Sequence, residues 1–90
     1  MLEVGLRHHQ AGELQEAEAI YRRILSLEPS NVAAWHLLGR IAQHFGRLDV
    51  AERCIREAVR LRPDYPEGYL DLGMVFVAMA NSDAAVACFR

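Results

Sequence analysis

The stretch GRLDVAERCIREAVRLRP, residues Gly46–Pro63, repeats a phrase met thirty-four residues earlier, GELQEAEAIYRRILSLEP, residues Gly12–Pro29. Gly12 matches Gly46, Leu14 matches Leu48, Ala17 matches Ala51, Leu27 matches Leu61 and Pro29 matches Pro63. The same shift carries Gly5 onto Gly39 and Gly73, Val4 onto Leu38 and Leu72, and Tyr21 onto Ile55 and Phe89. Trp35 falls on Tyr69. A fixed period of this length marks a chain built from stacked copies of one supersecondary unit.

Each unit reads as two helices. Trp35, Leu38, Gly39 and Ala42 make a small or apolar stripe at helical spacing. Asn31 is placed to cap that helix, and Gly46 to end it in a left-handed conformation. The next helix carries Ala51, Ile55, Ala58, Val59 and Leu61, and stops near Pro63. In the third unit Ala80 stands where glycine is wanted. A turn is therefore expected on Asn81, with Ser82 or Asp83 capping a further helix. Gly39 and Ala51 mark a close crossing, while Trp35, Ile55 and Tyr21 are expected to fill the wider gaps between hairpins.

The pattern Trp-x-x-Leu-Gly-x-x-Ala, then Gly-x-Leu-x-x-Ala-x-x-x-Ile-x-x-Ala, then Pro, resembles the tetratricopeptide repeat over the whole chain. The departures are Ala42 and His8 where the family prefers tyrosine, and Ala80 where it prefers glycine. The resemblance implies an all-α fold, a right-handed α-solenoid of antiparallel helix hairpins with about two and a half repeats. The 90 residues then form one domain, divided at 1–31, 32–65 and 66–90, with the first unit short at its start and the third short at its end. A looser similarity connects the first half with the repeat arrays that precede glycosyltransferase or sulfotransferase domains in bacterial proteins.

Function follows from the same resemblance. First helices of successive units line a groove that binds protein segments. The positions that match are Leu2, Leu6 and His9 in the first unit, Ala33, His36, Arg40, Gln43 and His44 in the second, and Glu67, Leu70, Met74, Val77 and Ala78 in the third. His36, Arg40 and His44, each four apart, form one ridge. A cationic strip beside the apolar Leu70, Met74 and Val77 suits a segment with both acidic and apolar residues. Family members that clamp carboxylate tails use lysine and asparagine, and here Leu2, Leu6, Leu37, Glu67 and Asp71 stand in those places, so no such clamp is expected.

Other chemistries find little footing. His8 and His9 point to different faces, and His36 and His44 are two turns apart, about 12 Å of rise, so no zinc site is expected. Cys54 and Cys88 are repeat equivalents, too far apart for a disulfide, and are expected to be free thiols. Arg53, Arg56, Arg60 and Arg62 crowd one helix, but Glu52–Arg56 and Arg53–Glu57 pairs are available and no aromatic platform accompanies them. With a net charge of −2, no nucleic-acid partner is expected. No run approaches the ~18 apolar residues of a membrane span, and the N-terminus lacks a secretory pattern. The expectation is a cytoplasmic protein-interaction scaffold, not an enzyme and without a cofactor. The alternative is the docking or regulatory segment of a bacterial transferase. Leu70, Val77, Val86 and Phe89 lack a covering unit, so copies are expected to associate end to end.

Overall fold

A computed structural model describes residues 1–88, with side-chain surroundings through residue 80. Five helices follow in order: α1 (Leu2–Gln10), α2 (Leu14–Leu27), α3 (Val32–His44), α4 (Leu48–Leu61) and α5 (Pro66–Cys88). There is no strand among the described residues. The chain is an all-α helical repeat solenoid in which α1 packs on α2, α2 on α3, α3 on α4 and α4 on α5.

Local sequence explains the ends of these helices. Gly12 and Gly46 take φ of 80° and 75°, a region closed to most residues by their Cβ. Each closes the preceding helix with paired bonds. Arg47 N–H donates to the Ala42 carbonyl at 2.9 Å and Gly46 N–H to that of Gln43 at 3.0 Å, and Glu13 and Gly12 do the same to His8 and His9. The Asn31 side chain accepts from the Ala34 amide at 3.0 Å, capping α3. The expected glycine turn and asparagine cap are both present.

The third unit departs from the other two. The expected turn on Asn81 is absent, and α5 runs unbroken from Pro66 to Cys88. Ser82 and Asp83 therefore lie inside this helix and not at the start of a further one. Only glycine adopts positive φ among the described residues. At Ala80 the chain offers the best helix former in place of the residue that would stop the helix, and Ala78, Ala84, Ala85 and Ala87 continue the preference. The expectations for the side chains of Val86, Cys88 and Phe89 lie outside the described residues.

The core forms where the hairpins close. One cluster joins Ala17, Tyr21, Ile24, Ala34, Leu38, Ile41 and Cys54, and a second joins Ala42, Ala51, Ile55 and Val75. The glycines set the spacing. A Cβ added to Gly5 would stand 2.6 Å from Tyr21 Cε1, and one added to Gly39 would stand 2.6 Å from Ile55 Cγ1 and 3.3 Å from the Ala51 carbonyl oxygen. Tyr21 and Ile55 thus press on the glycine of their own hairpin, a closer role than filling gaps between hairpins. At Gly73, the third equivalent, nothing among the described residues lies within 4 Å.

Candidate functional site

Helices α1, α3 and α5 present side chains to two open depressions, and α3 contributes to both. The first, of about 380 Å³, is lined by His9, Gln10, Gly12 and Leu14 from the first unit and by Arg40 and His44 from α3. The second, of about 600 Å³, is lined by Gln43 from α3 and by Tyr69, Leu70, Gly73, Met74, Val77 and Ala78 from α5.

The first depression is basic. Arg40 and His44 are exposed, and His9 is half-buried. The Tyr21 hydroxyl donates to His9 Nδ1 at 3.3 Å. Burial first, then the charges of Arg40 and His44, hold the His9 pKa below its ordinary value. An anion seated there would offset the last two causes and draw a proton onto the ring. His44 meets Phe45 edge to face at 5.5 Å.

The second depression is apolar. Leu70 is 68 % exposed, Val77 61 % and Met74 51 %. Such a run of large apolar side chains on one helix is unusual for a surface. Gln43 stands at its α3 edge.

His36 is not part of an open ridge. It is 7 % exposed and turned into the seam between α3 and α5. Its Nδ1 accepts from the Tyr65 hydroxyl at 2.7 Å, and its Nε2–H donates to the Asp71 carboxylate. Asp71 also lies 3.8 Å from Arg40 Nε. The expected ridge is therefore divided: Arg40 and His44 face outward, while His36 ties the second unit to the third. Asp71, Tyr65 and Tyr21 were not among the candidate residues. Helical spacing assigns a residue to a face, and it does not tell which part of that face the next helix covers. Burial is the first cause raising the Tyr65 pKa, followed by the charges of Glu67 and Asp71.

The remaining reactive groups sit elsewhere. Cys54 is buried, and that burial pushes its thiol pKa up, which keeps it a packing residue. Arg56 pairs with Glu52 at 2.8 Å as expected. Glu57 takes Arg60 at 3.0 Å instead of Arg53. No helix among the described residues is long and apolar enough to cross a membrane.

Residues 4–90 match the family described as the Cilia and flagella-associated protein 70 middle TPR-like domain. The chain belongs to the tetratricopeptide-repeat family. Over 78 residues, 87% of the chain, it is 33% identical to tetratricopeptide repeat proteins 7A and 7B of Homo sapiens, covering 9% of each. It is also 33% identical, over 76 residues, to a mitochondrial pentatricopeptide repeat-containing protein of Arabidopsis thaliana, covering 12% of it. The chain thus spans about a tenth of the length of these curated relatives. They are eukaryotic repeat proteins, and the looser similarity to bacterial transferase arrays gains nothing from them. As a tetratricopeptide-repeat segment the chain is a protein-interaction repeat module.

Proposed function

We propose that the face built by α1, α3 and α5 holds an extended segment of a partner protein and performs no chemistry of its own. An acidic residue of that segment sits against His9, Arg40 and His44, and an apolar one against Leu70, Met74 and Val77 beside Gln43. The observation that carries this reading is the placement of a basic and an apolar depression on opposite flanks of one helix, α3. Arg40 divides its charge between the first depression and Asp71, so an incoming carboxylate competes only with a 3.8 Å pairing. We place the module in the cytoplasm, where a reduced Cys54 is the stable form. Copies of the chain also associate with one another through the α5 end.

Fluorescent decapeptides pairing two glutamates with leucines test the reading against their lysine-for-glutamate versions. The acidic peptides should bind more tightly at pH 5.8 than at pH 7.8, and Arg40→Ala and Met74→Glu should each weaken them. Equal binding of acidic and basic peptides, unaffected by either substitution, would remove this face from the function.

A further inference from the structure

A groove of about 450 Å³ runs between α4 and α5, with Arg53, Arg56, Val59 and Arg60 on one side and Tyr69 and Leu72 on the other. It is separate from the two depressions of the candidate site. Tyr69 alone of the described residues lines both this groove and the apolar depression, and stands between them. Thirty-four residues earlier, the equivalent groove between α2 and α3 is closed by a helix. There α4 sets Val50 and Cys54 against the cluster that holds Tyr21, Ile24 and Leu38. Arg47, at the start of α4, reaches Glu18 of α2 at 3.9 Å. Leu38 is buried as a result, whereas its equivalent Leu72 is half-buried and Tyr69 is exposed. Since α5 runs straight on to Cys88, it does not double back over this groove as α4 does over the first.

The α4 rim also differs in charge. Ala19 and Ser26 of α2 become Arg53 and Arg60, and Arg22 is kept as Arg56. All three arginines are exposed. Spaced three and four apart, they follow one side of α4 for about 10.5 Å, two helical turns. Arg56 is paired with Glu52 and Arg60 with Glu57, both from the same helix. Pairs of this exposed kind are weak and readily exchanged. With Glu57 taken by Arg60, Arg53 has no ion-pair partner among the described residues. The Arg56 guanidinium lies 5.4 Å from the centre of the Phe76 ring, which holds it toward α5. Among the described residues, no acid of α5 lines the groove.

We propose that the α4–α5 groove is a second docking site, and that it takes an amphipathic helix of a partner protein with acidic residues one turn apart. The helical form of the occupant follows from the equivalent groove, where an α-helix supplies the apolar stripe and an ion pair crosses the rim. Its charge follows from the arginine row. Leucine-sized side chains of the partner cover Val59 and Leu72, and its carboxylates meet Arg53, Arg56 and Arg60. This site uses neither Arg40 nor Met74, so it stands or falls independently of the segment proposed for the face of α1, α3 and α5.

Fluorescence anisotropy with a labelled helical peptide of about 15 residues tests it. The peptide carries leucines along one stripe and glutamates along the stripe beside it, and its control has lysine for each glutamate. The parent chain should bind the glutamate peptide and not the lysine one, more weakly as salt is raised. Arg53→Glu and Arg60→Glu should each weaken binding at least ~10-fold, while Arg40→Ala leaves it unchanged. Both arginines are exposed, so the reversals leave the fold in place, which the circular dichroism melt checks. Absence of binding, or binding that both reversals leave within twofold, would overturn the proposal. Loss on Arg40→Ala would overturn it too, by moving the peptide to the other face. A single-stranded oligonucleotide that binds through Arg53 where the glutamate peptide does not would assign the arginine row to phosphates and overturn the acidic helix.

Discussion

Gly39 and Ile55 meet so closely that a Cβ on the glycine would stand 2.6 Å from Ile55 Cγ1, whereas at the equivalent Gly73 nothing among the described residues comes within 4 Å. Adding a side chain should therefore have opposite signs at the two positions. Gly39→Leu overpacks a buried crossing and should cost ~1–3 kcal/mol. Gly73→Ala removes backbone freedom from the unfolded chain and should stabilise α5 by about 0.5–1 kcal/mol. Thermal melts at dilutions where the chain is monomeric read both, since 1 kcal/mol moves Tm by roughly 4–8 °C in a domain of this size. Shifts of the same sign would refute the packing account.

The contrast between these glycines shows what was legible beforehand. The thirty-four-residue period carried the helix pairs, the left-handed Gly46, the Asn31 cap and the Gly39 crossing, because each depends on residues within one unit. Two features escaped. The continuity of α5 turns on Ala80, where losing one glycine removes a stop signal and the helix propagates into alanine-rich sequence. The seam at His36 depends on where α5 lies over α3, and that relation between units is not written in the spacing within α3.

His36 and Asp71 should be strongly coupled. Removing the imidazole leaves the Tyr65 hydroxyl and the Asp71 carboxylate without their shared partner in a mostly buried seam. His36→Ala should cost about 1–3 kcal/mol. Asp71→Ala should cost less when His36 is already gone, and a double-mutant cycle should give an interaction energy of at least about 0.5 kcal/mol. Strict additivity would mean that the pair contributes nothing beyond its separate packing.

His9 should make stability depend on pH. Its folded-state pKa lies below the ordinary value of 6.5, through burial and then through Arg40 and His44. Between the two values the unfolded chain binds more protons than the folded one, so stability rises with pH. The contribution is fully present above pH 6.5 and is lost as the pH falls through the folded-state value. Denaturant titrations at pH 7.5 and 5.5 should show the parent losing more stability on acidification than His9→Gln does. A His9→Gln chain with the parent's pH dependence would place the effect on another group.

Gly46 and Ala80 occupy the same place in successive units, yet one ends a helix at φ 75° and the other continues one. Exchanging their identities should weaken the protein at both places for different reasons. Gly46→Ala forces a Cβ into the left-handed region at a cost of about 1–2 kcal/mol, although no neighbour crowds the site. The damage falls on the α3–α4 turn that holds the Gly39 crossing, so global Tm should drop. Ala80→Gly costs about 1 kcal/mol of helix propensity within α5. Because Val75 is the last fully buried side chain of α5 among the described residues, with Met79 alone packing on that cluster beyond it, that loss should stay local. Amide hydrogen exchange in residues 81–88 should speed up while the amides of α2, α3 and α4 keep their protection. If instead Ala80→Gly lowered global Tm as far as Gly46→Ala does, the later turns of α5 would be part of the cooperative core, and the second core cluster would extend past Met79.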